Sequence, residues 1–393
     1  MPTLSSCREF VKICYKYVFK HRNYQAVREL TNAIESQYSL AADFLRSQPS
    51  DSIYQLTDSE KHEIDEFWAQ YGVKFPDYTW FQMYYGVSGI HSPKFLIHIF
   101  VVSSIYKHYN VQQDIVGWKD KNIFERLVKN VKFPDSLAHK INGRYYDDDY
   151  KPYDNTEDGI KKLSERIFSK LNGETDIIVK GSKDSSQGKG VRLVKDVHCT
   201  DDIKKILKEN KSRNYIVQRK VIQHPFFNQF CSTSVNIIRF NTWHDKNEIK
   251  IFPATIRFGV EGSATDIISD GKKEIANVVG INENGIINEK FRSFDGVVEN
   301  HPIIKDKQVP SWDKLLNAVV EAHKEMFHFD IIGWDFTVDK DGNPICIEYN
   351  ITEPGTILYQ FTNGPFAGKY TEEFLAYLKK RPDLVPYLYR LKT

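Results

Sequence analysis

From about Asp176 onward the chain is a succession of short β-prone runs separated by Gly, Asn and Asp, and this pattern restricts the fold more than any other feature. Two helix-like stretches interrupt them, DDIKKILKEN and SWDKLLNAVVEAHKEMF. Many consecutive strands with few helices between them predict an α+β fold with a largely antiparallel sheet. The runs are DIIVK, VRLV, YIVQRKVI, TSVNIIRFNTW, IKIFPATIRFG, GIINEKF, GWDFTV and PICIEYN.

The rest of the chain is more helical. Its 393 residues are enough for two or three structural units. Residues 1–72 have the periodicity of helices, and Gly is absent before Gly72. The run EDGIKKLSERIFSKLN predicts an amphipathic helix between Thr156 and Asn172, and the segment from Thr371 to Arg390 is again typical of helices.

Composition excludes several classes of protein. Lys plus Arg number 54 and Asp plus Glu 52, so the net charge of +2 gives no general attraction to nucleic acid. The longest apolar run, FLIHIFVVSSIY from Phe95, is shorter than the roughly 20 residues of a membrane-spanning helix. The N-terminus has no signal-peptide pattern. Five scattered cysteines without a C-x-x-C pair argue against a zinc site or disulfides, so we expect a cytoplasmic protein.

A basic stripe near the N-terminus has two interpretations. Arg8, Lys12, Lys16 and Lys20 recur every four residues and lie on one face of a helix. The stripe is either a solvated helix face or a peripheral contact with an anionic membrane surface.

The run IIVKGSKDSSQGKGVRLV suggests an anion site. Lys180 ends a strand, and small residues follow at 185–190. Small residues let backbone N–H groups approach an anion, and a strand lysine can reach a phosphate. There is no P-loop pattern, and an ordinary turn explains the segment equally well.

In TSVNIIRFNTW, strand alternation places Asn236 on one face and Arg239 on the other, with Val235 and Ile237. A buried arginine must be paired or must face an anionic ligand. Arg239 is therefore either in a structural ion pair or at a ligand site, and Asn236 could simply be a satisfied sheet residue.

Acidic and amide residues stand in two apolar runs near the end of the chain. The turn signal Asp-Gly joins GWDF to IEYN, so these runs predict a hairpin that places Asp335 near Glu348. Asn350 lies two residues beyond Glu348 and projects from the same face. Such oxygen ligands suit Mg²⁺, which also offsets their mutual repulsion. The alternative is a hairpin whose polar side faces solvent.

Taken in this order, these motifs resemble the ATP-grasp superfamily, and more narrowly its sugar-transfer-associated branch, linked to polysaccharide biosynthesis. The likeness rests on IIVKGSKDSSQGKGV, VQRKVIQHP, STSVNIIRF, GWDF and IEYNITEPGT, over roughly Asp120 to Pro365. It implies two α+β lobes gripping ATP, with a helical N-terminal extension. The expected divisions are residues 1–115 (helical), 116–175 (pre-grasp), 176–220 (small lobe) and 221–393 (large lobe with a C-terminal helix).

The resemblance also implies an ATP site. Lys180 and Lys121 would hold the inner phosphates, and the hairpin at 185–190 would close over the outer ones. Gln218 would lie near the adenine amino group, where the superfamily commonly has Glu, and Gln223 or His224 would reach the ribose. The implied ATP-binding residues are Lys121, Lys180, Ser185, Ser186, Gln187, Gly188, Gly190, Gln218, Lys220, Val221 and His224.

On the chemical side, the resemblance implies that Asp335, Glu348 and Asn350 bind Mg²⁺. Catalytic contacts to the transferred phosphate are implied for Arg239, Asn236 and Lys189. The segment SATDIISDGKKEIANVVG departs from the branch, which has Asp-Asn followed by Gly-Gly where this chain has Asp266 and the single Gly271. The residues implied on the acceptor side are Arg257, Asp266, Glu353, Gly355 and Thr356.

The implied reaction is ATP- and Mg²⁺-dependent ligation of a carboxylate to an amine through an acyl phosphate. The partners would be an amine and a small-molecule or sugar-linked carboxylate. Phosphoryl transfer needs positioning and charge neutralisation more than covalent catalysis, and the cations and carboxylates of the motifs match that need. Two alternatives stay open: a phosphotransferase acting on a hydroxyl, and a nucleotide-binding scaffold in a polysaccharide assembly complex.

Overall fold

The computed structural model describes residues 40–183, 190–210, 212–263, 265–269, 274–299, 301, 304, 306–352, 355–386 and 389–391. The predicted basic stripe at 8–20 lies outside these residues. The chain divides into two compact units: one includes the described residues up to His108 and from Gly355 onward, and the other is Tyr109–Pro354. The α+β class is confirmed, whereas the four-part division predicted from the sequence stays a prediction. Within the described part of the chain, no helix has both the length and the apolarity needed to cross a membrane.

Two of the longer helices, those that begin at Asp58 and Glu157, have threonine caps that the sequence encodes. For example, Thr57 and Glu60 form a capping box before the first of them: Glu60 N donates to Thr57 Oγ1 (3.2 Å), and Thr57 N donates to Glu60 Oε2 (2.7 Å). The longer helices are α1 (Asp58–Ala69), α2 (Thr79–Ser88), α3 (Gln112–Trp118), α4 (Glu157–Leu171), α5 (Thr200–Glu209), α6 (Trp312–Glu325) and α7 (Ile357–Asn363). Shorter helical turns occupy His98–Phe100, Val101–Ile105, Tyr106–Tyr109, Lys121–Ile123, Phe124–Leu127, Pro225–Gln229, Gly368–Tyr370, Thr371–Leu375, Tyr377–Lys380 and Pro382–Leu384.

The first unit is built around aromatic side chains. Trp68 of α1 is fully buried against Phe75 and Phe100, and its indole N–H donates to the Pro93 carbonyl (2.7 Å). The buried Gln360 of α7 exchanges two hydrogen bonds with the backbone of Leu96, each 2.8 Å long. A carboxamide that satisfies a backbone N–H and a carbonyl in this way lets an irregular segment be buried without orphaned polar groups.

The second unit contains a six-stranded and an eight-stranded antiparallel sheet, with a two-stranded ribbon, β10–β11. The order of the smaller sheet is β3-β2-β1-β6-β4-β5; that of the larger is β14-β13-β12-β9-β7-β15-β16, with β8 beside β7. The strands are β1 (Ser136–Ile141), β2 (Arg144–Asp147), β3 (Pro152–Tyr153), β4 (Ile177–Gly181), β5 (Arg192–Val194), β6 (Tyr215–Arg219), β7 (Ile237–Asp245), β8 (Glu248–Ile251), β9 (Ala254–Phe258), β10 (Ile268–Ser269), β11 (Glu274–Ile275), β12 (Asn277–Ile281), β13 (Ile287–Ser293), β14 (Gly296–Val297), β15 (Ile331–Val338) and β16 (Pro344–Asn350).

Each sheet is covered on one face by helices whose apolar side chains recur with helical spacing. Ile160, Leu163 and Ile167 of α4 share a core with β1, β4 and β6, and α5 contributes to the same core. On the larger sheet, Leu315 and Val319 of α6 pack with the buried apolar residues of β7, β9 and β15.

One predicted strand begins later than expected. The predicted strand started at Thr233, with side chains alternating between its two faces. This prediction is wrong for Ser234 and Asn236, because β7 begins only at Ile237. The backbone N–H of Asn236 donates to Gln223 Oε1 (2.9 Å). A side chain therefore satisfies the backbone before the strand pairing starts.

A buried histidine ties α6 to the larger sheet. His323 is 1% exposed; its Nε2 donates to the Phe329 carbonyl (2.8 Å), and its Nδ1 lies 2.6 Å from Thr242 Oγ1. The indole N–H of Trp334 donates to the same Thr242 oxygen (2.8 Å). Burial lowers the pKa of His323 to about 4, so the folded protein keeps the imidazole neutral.

This histidine predicts a loss of stability in acid. Its pKa falls from an ordinary 6.5 to about 4 on folding, so its contribution is complete above pH 6.5 and is lost as the pH falls towards 4. The loss is on the order of 3 kcal/mol by pH 4. We expect His323→Gln to make the free energy of unfolding, measured by urea denaturation between pH 4 and 7, less dependent on pH. His62→Gln, at a side chain that is 72% exposed, should leave that dependence unchanged; an equal effect of both variants would contradict this origin.

Candidate active site

Three charged side chains form a row across the last three strands of the larger sheet, β7, β15 and β16. Asp335 of β15 lies directly opposite Arg239 of β7 on one side and Glu348 of β16 on the other. Directly opposed residues on paired strands point to the same face, about 5 Å apart. Asn350 opposes Gly333 in the same register, so its side chain lies on the face of Glu348. The structure thus brings Asp335, Glu348 and Asn350 together.

Asp335 is held by two arginines. Its carboxylate accepts hydrogen bonds from Arg239 Nε (2.5 Å) and Nη2 (3.0 Å), and from Arg257 Nη2 (3.3 Å). Asp335 is only 2% exposed, which by itself raises the pKa of this carboxyl. The charges and hydrogen bonds of the two arginines outweigh burial, and the pKa of Asp335 is lower than usual. The two interpretations of Arg239 therefore do not exclude each other, because its ion-pair partner is itself a candidate site residue.

Arg257 links Asp335 to a second acid. Its Nε donates to Asp266 Oδ2, and the Asp266 side chain is 15% exposed. Burial raises the pKa of Asp266, and the negative charges of Asp335 and Glu348 raise it further, against the lowering effect of Arg257. Two of the five residues predicted on the acceptor side, Arg257 and Asp266, are thus in direct contact beside the charged row.

Two lysines from the smaller sheet's side reach the other end of the row. Lys121 Nζ lies 3.3 Å from Glu348 Oε2, and Lys180 Nζ donates to the Ile347 carbonyl (3.5 Å). The pKa of Lys180 is lowered to about 8, mainly by burial; the charge of Glu348 opposes this shift and that of Lys121 adds to it. A buried lysine with few anionic neighbours has lost most of its hydration. An anionic ligand compensates this loss, so such a lysine binds anions favourably.

These lysines open into a cavity between the two sheets of the second unit. Its empty volume is about 220 Å³, part of it open solvent. Gln218 of β6 lies in its wall and donates from Nε2 to the Pro134 carbonyl (3.2 Å). The lining residues are Lys121, Phe124, Glu125, Phe133, Ser136, Lys180, Gln218 and Ile347. Three predicted nucleotide residues, Lys121, Lys180 and Gln218, therefore share one cavity.

The other residues predicted to contact the nucleotide base and ribose lie on the segment after β6. Lys220 Nζ donates to Asp176 Oδ2 (3.0 Å), which leaves its backbone for the predicted contact. Val221 is half-buried and follows it directly. His224 Nδ1 accepts from Phe226 N (3.2 Å), so this side chain caps the Pro225–Gln229 turn. The ribose contact predicted for His224 or Gln223 stays a prediction.

Asn236 lies away from the charged row. Its carboxamide nitrogen donates to Gln223 Oε1 (2.9 Å) and to the carbonyls of Phe227 (3.0 Å) and Cys231 (2.7 Å). It is completely buried, and its amide oxygen has no hydrogen-bond partner among the described residues, so only the nitrogen of this side chain is satisfied. Its predicted catalytic contact stays a prediction.

Some predicted site residues lie elsewhere or outside the described chain. Ser185, Ser186, Gln187, Gly188, Lys189, Glu353 and Gly271 are outside the described residues. Gly190 is an exposed turn residue with φ +78°. Gly355 and Thr356 belong to the first unit, where Thr356 is buried and its hydroxyl lies 3.5 Å from His98 Nδ1. Their predicted acceptor role is not tested by this geometry.

The donor set at the row fits magnesium. Asp335, Glu348 and Asn350 offer carboxylate and carboxamide oxygens, the ligands that Mg²⁺ prefers. The Asn350 carboxamide nitrogen is buried and has no hydrogen-bond partner among the described residues. Since the nitrogen and oxygen of an amide can exchange places by a rotation, this side chain can present its oxygen to a cation.

Two polar cavity residues were missed from the sequence, Glu125 and Ser136. Glu125 lies on the four-residue helix Phe124–Leu127, and Ser136 begins β1. Ser136 pairs with Gln218 across two strands that are distant in sequence. No local pattern marks either residue, because the pairing of β1 with β6 brings Ser136 to the cavity and the helix that carries Glu125 is too short for a periodic signal.

The buried ion pair predicts an asymmetric cost of substitution. We expect Arg239→Met to lower the free energy of unfolding by about 3 kcal/mol, because Asp335 then keeps only one of its two arginine partners in a buried site. Arg381→Met is a matched control: Arg381 makes the same two-bond contact with Asp383 (2.9 and 2.8 Å), but both side chains are more than half exposed. Its effect should be far smaller. Equal changes in urea denaturation would show that burial of the Arg239 pair carries no special cost.

Comparisons with known proteins give the family of this chain. The family model described as "Sugar-transfer associated ATP-grasp" matches residues 102–374, which is more than half of the chain. No curated protein sequence matches the chain. Similar solved structures include D-alanyl-alanine synthetase A from Vibrio cholerae (13% identity, 71% of this chain and 68% of that chain, TM-score 0.40). A second is N5-carboxyaminoimidazole synthase from Aspergillus clavatus (14% identity, 72% of this chain and 56% of that chain, TM-score 0.35). A third is VanG D-Ala:D-Ser ligase from Enterococcus faecalis (11% identity, 66% of this chain and 60% of that chain, TM-score 0.40). The match thus spans less than two thirds of the length of the latter two proteins. On the family match, this chain belongs to the sugar-transfer associated ATP-grasp family.

Proposed function

We propose that this protein is an ATP-dependent ligase that joins a carboxylate to an amine through an acyl phosphate. The observation that carries the proposal is the row Arg239–Asp335–Glu348, with Lys121 and Lys180 at its Glu348 end. Family membership supports ATP binding and ATP-dependent ligase chemistry in general. The family's description also favours a carboxylate carried by a sugar.

The lysines serve the nucleotide in this proposal. Lys121 and Lys180 bind the inner phosphates, and Gln218 lines the part of the cavity that receives the base. Mg²⁺, held by Asp335, Glu348 and Asn350, would neutralise charge on the phosphate oxygens. Binding of the phosphates favours the protonated form of Lys180, because they supply the anionic partner that the folded protein only partly provides.

The arginines serve the transfer step. The substrate carboxylate attacks the terminal phosphorus, ADP leaves, and an acyl phosphate results; the amine then attacks the carbonyl carbon and releases phosphate. Arg239 and Arg257 are preorganised by Asp335 and Asp266, so their positive ends are fixed before charge develops. Orientation by fixed charges is the main contribution a protein makes to phosphoryl transfer.

The proposed metal role predicts a loss of turnover without loss of folding. We expect Glu348→Gln to lower ADP release at least about a hundredfold, because it removes a carboxylate beside the phosphates. The assay is a panel of carboxylates, including sugar acids, combined with amino acids and other amines. Glu165→Gln, on the exposed face of α4, is the matched control. ADP release that survives Glu348→Gln unchanged would remove Glu348 from the site.

The product separates the proposal from its alternatives. An amide together with ADP and phosphate supports the ligase. A phosphorylated hydroxyl would make the protein a phosphotransferase, whereas nucleotide binding with no product on any acceptor would favour the scaffold. Mass spectrometry of the reaction products distinguishes the three.

The lowered pKa of Lys180 predicts how affinity for ATP depends on pH. The lysine is charged below its pKa of about 8 and loses its proton above it. Because phosphates favour the charged form, we expect ATP affinity, measured by calorimetry between pH 7 and 9.5, to weaken as the pH rises through 8. Lys180→Met should weaken binding about ten- to a hundredfold at pH 7 and flatten the profile near pH 8. Lys162→Met, at an exposed lysine of α4, should keep the wild-type profile. A wild-type profile that is flat across pH 8 would contradict the assignment.

A further inference from the structure

Two buried polar side chains beside the charged row have oxygen atoms without a partner. The hydroxyl of Thr255 on β9 and the amide oxygen of Asn241 on β7 make no hydrogen bond within the part of the chain that the structure describes. Thr255 is 0% exposed and Asn241 is 1% exposed. A buried polar atom without a partner costs free energy, and such atoms are uncommon in folded proteins. A ligand that bonds to these two oxygens would offset the cost.

Both side chains lie on the face of the larger sheet that carries the charged row. Thr255 is directly opposite Arg239 in the pairing of β9 with β7, so the two side chains share one face, about 5 Å apart. Asn241 follows Arg239 by two residues on β7 and lies on the same face, about 7 Å further along. On β15 the residue between Asn241 and Asn350 is Gly333, which adds no side chain to this face. A glycine within a strand often marks a place where a ligand approaches the backbone closely.

The chemistry of the two oxygens favours hydroxyl groups on the ligand. An amide oxygen only accepts hydrogen bonds, whereas a threonine hydroxyl donates or accepts, so the ligand must offer O–H or N–H donors. A buried ammonium group needs an anionic partner, and the nearby carboxylates of Asp335 and Asp266 already bind Arg239 and Arg257. A hydroxyl group is neutral and needs no such partner.

The arginines locate the acid group of the same ligand. In the proposed function, the substrate carboxylate reacts beside Arg239 and Arg257. Distances of about 5 and 7 Å from Arg239 to the two unpartnered side chains are those between the acid group and the hydroxyl groups of one small molecule. One substrate can therefore reach the arginines and both oxygens together.

We infer that Thr255 and Asn241 form a specificity subsite for the acid substrate, and that this substrate is a hydroxy acid whose hydroxyl groups bond to Thr255 Oγ1 and Asn241 Oδ1. This inference rests on the proposed function, because it takes the arginines to lie beside the reacting carboxylate. A site with buried polar atoms discriminates strongly against an acid without hydroxyl groups, because those atoms stay unpartnered in the complex.

The first test compares two buried threonines. Thr255→Val replaces the hydroxyl by a methyl group, and because no internal hydrogen bond is lost, we expect the midpoint of urea denaturation to stay or to rise. Thr242→Val is the matched control: Thr242 is equally buried, but its hydroxyl oxygen accepts from Trp334 Nε1 (2.8 Å) and lies 2.6 Å from His323 Nδ1. This control should lower the midpoint. An equal decrease in both variants would mean that the Thr255 hydroxyl serves the fold, and would overturn the inference.

The second test measures the preference of the wild-type protein for hydroxy acids. ADP release from Mg²⁺-ATP is followed with pairs of acids that differ in their hydroxyl groups: lactate and propionate, gluconate and hexanoate, glucuronate and tetrahydropyran-2-carboxylate. Hydroxylamine serves as the amine, because it converts the acyl phosphate of any acid to a hydroxamate and phosphate. In at least one pair we expect kcat/KM to be about ten- to a hundredfold higher for the hydroxy acid, the effect of two hydrogen bonds.

The outcomes of this second test separate the inference from the proposed function. ADP release without a preference in any pair would overturn the inference and leave the proposed function intact. No ADP release with any of the acids would overturn both.

The third test assigns the preference to the two residues. In Thr255→Val and in Asn241→Leu, the ratio of kcat/KM between the two acids of a pair should fall about three- to tenfold, the contribution of one hydrogen bond. Since both acids are measured on the same variant, a general loss of activity cancels in this ratio. Thr242→Val, on the opposite face of β7, should keep the wild-type ratio. Equal losses for both acids would mean that Thr255 and Asn241 only support the fold of the site, which would contradict their role in specificity.

Discussion

The buried contact between Asp335 and its two arginines is the interaction on which the rest of the site depends. Taking a carboxylate and a guanidinium out of water costs several kcal/mol for each ion, and only close, well-directed hydrogen bonds offset it. Adjacent strands supply that geometry, because Arg239 and Asp335 are directly opposed in a continuous antiparallel pairing. The pairing of β7, β15 and β16 therefore fixes the positions of these charges through the backbone register.

The balance of charge at this face favours an anionic ligand. Four cationic side chains meet three carboxylates there, which leaves an excess of one positive charge: Lys121, Lys180, Arg239 and Arg257 against Asp335, Glu348 and Asp266. The carboxylates serve to hold the cations as well as to offer oxygen ligands. A site of this kind can bind a polyanion together with a divalent cation without first ordering additional side chains. This is the advantage of preorganised electrostatics.

The sequence predicted the local part of this site and not the long-range part. The Asp-Gly turn and the alternation in PICIEYN determine the β15–β16 hairpin, and with it the shared face of Glu348 and Asn350. The partner of Arg239 could not be predicted, because Asp335 is 96 residues away and the pattern allowed either an ion pair or a ligand. The β7 boundary was missed for a similar reason, since the Gln223 side chain that satisfies Asn236 belongs to another segment. Glu125 was missed because a four-residue helix carries no periodic signal.

Backbone contacts on both sides of the cavity join the segments next to the smaller sheet to the β15–β16 hairpin. After β6 the chain bonds to the β15–β16 hairpin: His224 N donates to the Val338 carbonyl (2.8 Å), and Lys340 N donates to the Ile222 carbonyl (2.9 Å). On the other side of the cavity, Cys346 N donates to the Lys132 carbonyl (2.8 Å). The strand that carries Gln218 and the strand that carries Glu348 are thus tied through short segments on both sides. A shift of one sheet against the other would have to break these contacts or move the hairpin with it. Breaking them is costly, because it leaves backbone N–H and C=O groups unpaired in the interior. The spacing between Gln218 and the charged row is therefore set by the fold itself.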